Sequence, residues 1–305
     1  MPGRPKIGFV LGAGSARGWA HIGVLRALLE AGIKPDLIAG CSVGALVGAA
    51  FAAGRLDRLE AWALSLDWKR MLKLMDFGLR GGLIKGKRVR EVFREQFAEC
   101  EFSELEVPFA AVATDLHSGQ EIWLRKGRVS TAIGASIAVP GLFQPVQHEG
   151  RYLVDGSVVN PIPVSLCRAM GADIVLAVDL GSDLVGRYAR DDDRAPTQTA
   201  SRSFISRFLP RSGRDNRAGE PQAEPQPAPP SLLETLMGSI NIMQLRIARS
   251  RLAGEPPDAL LTPRLGHLGL LDYHRAEFAI AEGREAVKRM LPAIRNAIPA
   301  ESNRS

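Results

Sequence analysis

The chain has 305 residues, 46% hydrophobic and 24% charged, with a formal charge of +6 and a pI near 9.5. This composition excludes a disordered or fibrous chain and allows one large domain or two ordinary ones with a sizeable core. The basic balance gives modest affinity for anionic surfaces. Lys and Arg are scattered, however, without a basic block or aromatic ladder, which argues against a nucleic-acid partner.

Lys6 to Leu11 is a short apolar run that ends in glycines, so it reads as a buried strand. The loop "GAGSARG" spans Gly12 to Gly18. Trp19, Ile22, Leu25 and Leu28 then recur at helical spacing, and Gly32 and Pro35 supply stop signals. Asp36 to Gly40 reads as a second strand and Val43 to Ala53 as a helix closed by Gly54. Leu37 to Gly54 carries no charge. It is shorter and richer in Gly and Ala than a spanning helix of ~20 large apolar residues, so a buried strand, tight turn and helix fit it better.

Helices are expected at Asp57 to Leu66 and Lys87 to Ala98, with a Gly-rich loop between them. Pro108 to Thr114 and Glu121 to Leu124 read as strands joined through His117-Ser118-Gly119. Val129 to Val139 reads as a small-residue helix, and Gln144 to His148 with Arg151 to Val154 as a hairpin. Pro163 to Met170 is a helix, and Asp173 to Leu180 another buried strand. Residues 183–230 hold too few apolar side chains to offset ordering entropy and read as a disordered insertion. Within it, Phe204, Ile205, Phe208 and Leu209 lie among Arg202, Arg207, Arg211 and Arg214. That pattern is either a short amphipathic membrane contact or a linker with incidental apolar residues. Helices near Leu232 to Leu252 and Tyr273 to Ile298 complete the chain. The resulting expectation is a catalytic core at residues 5–182, the insertion at 183–230, and a helical part at 231–300 that completes the same domain. Alternation of strand and helix argues for a parallel sheet covered by helices.

Gly40-Cys41-Ser42-Val43-Gly44 reads G-x-S-x-G between a strand and a helix, the setting of a nucleophile elbow. Flanking glycines remove side chains that would clash in so tight a turn. The helix N-terminus beyond Ser42 favours a developing negative charge. A serine nucleophile needs a base. The five histidines, His21, His117, His148, His267 and His274, lie in no convincing catalytic setting. Asp155 ends a strand and precedes Gly156, which makes it either a carboxylate base or one half of a simple Asp-Gly turn. The glycine loop presents backbone N–H groups to an anion, a cofactor phosphate or an acyl-transfer oxyanion. Its spacing, Gly12, Gly14, Gly18, is one residue too long for the dinucleotide fingerprint. An oxyanion hole opposite an elbow serine accounts for both motifs with one site.

Three cysteines, Cys41, Cys100 and Cys167, show no C-x-x-C spacing, and an odd count without a framework fits a reducing compartment. The apolar stretch after the N-terminus is too short for an export signal. A cytoplasmic protein is the expectation.

At these three motifs the chain resembles the patatin-like phospholipases, and most of all the small bacterial members related to neuropathy target esterase. That family carries a glycine-rich oxyanion loop with a basic residue, then G-x-S-x-G, then D-G-G or D-G-A. Here these are Gly12 to Gly18 with Arg17, Gly40 to Gly44, and Asp155-Gly156-Ser157. "ARGWAHIGVLRALLEAGI", "GLIKGKRV", "VPFAAVATDLHSG" and "ASIAVPGLFQPV" are also similar to the family, in family order. The resemblance covers about residues 7–180, and more weakly the chain from 232 onward.

The resemblance implies a three-layer α/β/α sandwich with a mostly parallel central sheet. It implies hydrolysis of carboxylic esters of lipids by a Ser-Asp dyad, with Ser42 as nucleophile and Asp155 as base and no metal or cofactor; the alternatives are an acyltransferase with the same serine and a non-catalytic lipid-binding regulatory protein on this fold. The implied partner is a lipid or fatty-acyl ester, and peripheral membrane contact stays one of the two readings of the insertion. The amides of Gly14, Ser15 and Ala16 would form the oxyanion hole, and Arg17 would stabilise the loop electrostatically. Glycine is usual where Ser15 stands, and serine supplies the same backbone donor only if the position needs no positive φ. Ser157 stands where glycine or alanine is usual.

Overall fold

The computed structural model describes residues 4–67, 70, 91–92, 94, 100–182 and 232–299. The insertion expected at 183–230, and most of the Gly-rich loop and helix expected before Ala98, lie outside the described residues.

Eight strands form one sheet: β1 (Ile7–Leu11), β2 (Leu37–Cys41), β3 (Phe109–Asp115), β4 (Glu121–Leu124), β5 (Val146–His148), β6 (Arg151–Asp155), β7 (Ile174–Val178) and β8 (Ala259–Leu261). The order is β5-β6-β3-β2-β1-β7-β8, with β4 also paired to β3. The pairings β1–β2, β1–β7, β2–β3 and β7–β8 are parallel, whereas β3–β4, β3–β6 and β5–β6 are antiparallel. β1, β2, β3 and β7 are buried along their whole length, which is why they read as near-continuous apolar runs rather than alternating ones, broken only by Thr114 and Asp115 at the end of β3.

Helices cover both faces. α1 (Ala20–Glu30), α2 (Val43–Ala52), α3 (Leu56–Leu64), α4 (Val129–Ser136) and the C-terminal α7 (Ala276–Ala297) pack on the face that presents Phe9, Ile38, Phe109 and Leu176. On the other face, α5 (Val164–Ala169) and Ala248 and Leu252 of α6 (Leu232–Gly254) pack against Val10, Ala39, Val112 and Val175. The architecture is therefore the expected three-layer α/β/α sandwich. Gly32 and Gly54, with φ of 80° and 64°, end α1 and α2 in the left-handed conformation that the helix stop signals require.

Several boundaries differ from expectation. The glycine loop enters a 3-10 turn, Ser15–Trp19, before α1 begins. The expected helix from Val129 ends at Ser136, three residues early. β8 was not foreseen. Its three residues are too few to show a period, and its place is fixed by parallel pairing with Leu176, Ala177 and Val178.

The contact between α1 and α7 brings segments near the two ends of the chain together. A Cβ on Gly23 of α1 would lie 1.9 Å from the Ile280 carbonyl oxygen, and one on Gly283 of α7 would lie 2.1 Å from that of Ala20. Two bare backbones can approach where two side chains could not. This crossing carries the segment before α7, Leu270 to Tyr273, over the glycine loop.

No helix among the described residues is long and apolar enough to cross a membrane. The uncharged stretch from Leu37 to Gly54 is the strand, turn and helix of β2, Ser42 and α2.

Candidate active site

The site forms where β1 and β2 end. Both strands are parallel, so the loops that leave them open on the same edge, the usual ligand-binding edge of such a sheet. Ser42 stands between β2 and α2 at φ 55°, ψ −127°, a conformation sparsely populated by non-glycine residues. The neighbouring glycines allow it. A Cβ on Gly44 would come within 2.1 Å of the Leu11 oxygen, and one on Gly40 within 2.5 Å of the Ala45 Cα. Holding the strained turn in place, the Ser42 amide donates to Ser136 Oγ at 3.0 Å.

Sheet register delivers the carboxylate. Cys41 pairs with Val112 and the next residue, Ala113, pairs with Asp155, so Asp155 lies level with Ser42 across β3. Ser42 Oγ donates to Asp155 Oδ2 at 2.6 Å. The Asp155 amide donates to the Ala138 oxygen, and its own carbonyl accepts from Thr114 Oγ1. Gly156 permits the turn beyond it, because a Cβ there would lie 2.3 Å from the Val112 oxygen.

Asp155 is fully buried, and burial pushes its carboxyl up to about 6. Hydrogen bonds from Ser157 and Ser42 hold it from rising further. The Ser157 amide donates to Oδ1 at 2.8 Å. Gln244 Nε2 of α6 in turn donates to Ser157 Oγ at 2.6 Å. A carboxyl poised near neutrality suits proton transfer at physiological pH.

The glycine loop lies opposite. Its backbone approaches β7, since a Cβ on Gly12 would lie 2.6 Å from the Val178 oxygen and one on Gly14 2.6 Å from Leu180 Cδ1. A Cβ on Gly18 would strike Val43 at 2.1 Å, so this glycine lets the loop and the elbow touch. None of Gly12, Gly14, Gly18, Gly40, Gly44 or Gly156 lies in the left-handed region, so all six serve close approach. The left-handed positions of the site fall instead on two serines, Ser42 and Ser15.

Two expectations for the loop need correction. Ser15 does occupy positive φ, at 52°, and adopts it as a serine. The Ala16 amide is committed to the Leu270 oxygen at 3.1 Å and does not face the cavity as a spare donor. The Arg17 amide is likewise bound, to the Gly14 oxygen. The Arg17 side chain is not a solvated surface group. It is 2% exposed, with its guanidinium donating to the Leu180 oxygen and Asn241 Oδ1, and its Nε has no partner among the described residues. Burial lowers its pKa to about 10, partly offset by Asp179, so it stays charged.

His21 carries no catalytic contact. Its ring is wholly buried and Nε2 lies 2.7 Å from the Gly12 oxygen. That oxygen can only accept, so Nε2 holds the proton, and Nδ1 is left bare and unpartnered. Burial drops its pKa to about 4 and keeps the ring neutral. The Cys41 thiol beside the elbow is pushed well above its usual range by burial and by Asp155, so it is no rival nucleophile.

A cavity of about 140 Å³ opens over Ser42. Leu46, Trp62, Leu66, Val139, Leu142 and Phe143 make much of its apolar wall, and Met237, Ile240 and Leu245 of α6 close another side. Gly14, Ser15, Arg17, Ser157 and Gln244 add polar groups to its lining. Ser136, Gln244, Leu270 and Tyr273 escaped the sequence reading. Ser136 lies inside the quoted stretch "ASIAVPGLFQPV", but nothing local marks a serine within a helix as the support of a distant turn.

The sequence model of the patatin-like phospholipases matches residues 9–168. An uncharacterised NTE family protein of Mycobacterium tuberculosis is similar at 33% identity, over 95% of this chain and 92% of its own length. A lysophospholipase of Pyricularia oryzae is similar at 27% identity, over 91% of this chain and 18% of its own. Among solved structures, VipD of Legionella pneumophila is similar over 62% of this chain and 53% of its own, with 15% identity and a TM-score of 0.38. With more than half of its length matched by that family's pattern and a relative aligned almost end to end, this chain belongs to the patatin-like phospholipase family.

Proposed function

We propose that the protein is a serine lipid acyl hydrolase that cleaves a carboxylic ester with a Ser42–Asp155 dyad. The observation that carries this reading is the 2.6 Å hydrogen bond from Ser42 Oγ to a fully buried Asp155, beside an apolar cavity. Family membership and the name of the Pyricularia relative support a lipid ester as the substrate class.

The chemistry follows from the geometry. Asp155 Oδ2 accepts the Ser42 hydroxyl proton as Oγ attacks the acyl carbonyl, whose chain lies along the apolar wall. The developing oxyanion turns to the Gly14 and Ser15 amides, with the N-terminus of α2 adding its dipole. Collapse expels the alcohol portion, which takes the proton from Asp155. Water then gives its proton to Asp155 as its oxygen attacks the acyl-enzyme, and collapse breaks the Oγ–acyl bond as Asp155 returns that proton to Ser42 Oγ, releasing the fatty acid and restoring both residues. Arg17 sustains the positive potential of the loop from behind.

A fluorophosphonate is expected to label Ser42 alone, read by mass spectrometry of the tagged peptide. Ser42→Ala loses both labelling and hydrolysis, and Asp155→Asn lowers kcat by roughly 10³-fold. In ¹⁸O water the released fatty acid carries one heavy oxygen. Full hydrolysis by a clean Ser42→Ala preparation would overturn the reading.

A further inference from the structure

The two strained serines of the site are held differently. Ser42 is the elbow, supported by Ser136. Ser15 sits where a glycine would be at ease, in the left-handed region, and an L-residue stays there only when its surroundings over-determine it. Those surroundings are the segment that precedes α7. Ser15 Oγ lies 2.6 Å from the Leu270 oxygen and 2.9 Å from the Tyr273 hydroxyl. The Leu270 oxygen can only accept, so the single Ser15 hydroxyl proton goes there and Tyr273 donates to Ser15 Oγ. The same Leu270 oxygen takes the Ala16 amide. Tyr273 is itself fixed, with its carbonyl accepting from Trp19 Nε1 at 3.2 Å and its ring edge-on to Trp19.

We infer that Ser15 is a positioning residue, its hydroxyl clamped by Leu270 and Tyr273 so that the loop's amides stay aimed at the place where charge develops on the substrate. The inference rests on the reading of the Gly14 and Ser15 amides as the oxyanion hole. It assigns the C-terminal segment, 255 residues from Ser15 in sequence at Leu270, a part in the chemistry. In place of a glycine whose flexibility would be lost on binding, the loop holds a serine already fixed by two hydrogen bonds. Donors that need no reorganisation act more strongly on a transition state.

The test compares Ser15→Gly, Ser15→Ala, Tyr273→Phe and the double variant Ser15→Gly/Tyr273→Phe, with wild type and Ser42→Ala alongside. The substrate is a soluble p-nitrophenyl ester and the readouts are kcat, KM and the rate of fluorophosphonate labelling. Alanine keeps the strain and loses the clamp, whereas glycine loses the clamp without the strain. Ser15→Ala is expected to cut kcat and labelling rate by roughly 30-fold, short of the loss of a whole oxyanion donor, with KM changed little. Ser15→Gly is expected to fall at least fivefold less than Ser15→Ala. Tyr273→Phe cuts kcat by about tenfold in the wild-type background and adds almost nothing to Ser15→Gly, because the phenol acts only through the serine hydroxyl.

Urea unfolding reads the clamp apart from the chemistry, with a lower midpoint for Tyr273→Phe than for wild type and no such lowering when Tyr273→Phe is added to Ser15→Gly. Equal kcat in Ser15→Ala and Ser15→Gly, or a Tyr273→Phe loss that is undiminished in Ser15→Gly, overturns the inference. Activity surviving in Ser42→Ala overturns the dyad reading beneath it and leaves the urea comparison to decide whether the clamp exists.

Discussion

Ser136 Oγ, inside α4, accepts the backbone N–H of Ser42 at 3.0 Å across 94 positions of sequence. The strained elbow is thereby tied to a fully buried hydroxyl on a separate helix. Ser136→Ala leaves that amide buried without a partner, at a cost of about 1–3 kcal/mol in stability. The elbow also gains freedom to relax from φ 55°. The expected result is a kcat lower by roughly tenfold or more, because small displacements at the reacting group are costly. Steady-state kinetics and urea unfolding of the variant check both parts; Ser136→Thr, which keeps the hydroxyl, should recover some of each.

The Asp155 carboxyl, raised to about 6 by burial, is expected to set the acid limb of the proposed reaction. With the carboxylate as the proposed base, kcat/KM is expected to be flat above about pH 7 and to fall roughly tenfold per unit well below pH 6. Activity at pH 4.5 equal to that at pH 8 would count against Asp155 as the base.

The same group acts on stability with the opposite preference. Its folded pKa lies above the ordinary carboxylate value of 3.8, so the folded state holds the proton more tightly than the unfolded chain. Stability from this group is complete below the ordinary value and is lost as pH rises through about 6. Asp155→Asn removes the buried charge, so at pH 8 the inactive variant is expected to unfold at a higher urea concentration than wild type. The order-of-magnitude gain is ~3 kcal/mol.

Ser157 and Gln244 tune that carboxyl. Both the hydroxyl and the amide of Ser157 favour the charged form of Asp155, and Gln244 Nε2 donates to the same hydroxyl oxygen. Ser157→Ala is expected to move the acid limb of kcat/KM to higher pH. Gln244→Leu is expected to move it in the same direction by less, since it touches Asp155 only through Ser157. The charged or titratable neighbours otherwise felt at this group, Cys41 and Tyr273, stay neutral in this range because burial raises both. A pH profile of each variant superimposable on wild type would contradict the assignment.

His21 makes the fold sensitive to acid. Its pKa is pushed down to about 4 from the ordinary 6.5, so the unfolded chain takes up a proton that the folded protein refuses. Stability is whole above pH 6.5 and falls as pH drops toward 4, by order ~3 kcal/mol at most. His21→Gln, which keeps a side-chain N–H for the Gly12 oxygen, is expected to raise the urea midpoint at pH 4.5 relative to that at pH 7, compared with wild type, because the opposing gain from Asp155 protonation is then no longer offset. A slope unchanged from wild type would show that His21 is not its source.

The sequence alone determined which segments form most strands of the sheet and where the tight turns fall. Strand β2, the turn at Ser42 and helix α2 were legible because glycine spacing and unbroken apolar runs are local consequences of backbone crowding. Gly44 is glycine because the Leu11 carbonyl oxygen is in the way, and that constraint appears in the sequence as a motif. The family likeness drew Asp155 out of an ordinary Asp-Gly pair. Tertiary structure decided the rest. β8 exists only because β7 offers it an edge. Ser15 holds a left-handed conformation because Leu270 and Tyr273 are carried to it by the crossing of α7 over α1. The neutrality of His21 and the raised carboxyl of Asp155 arise from burial, which depends on every element packed around a group and leaves no mark on the letters beside it.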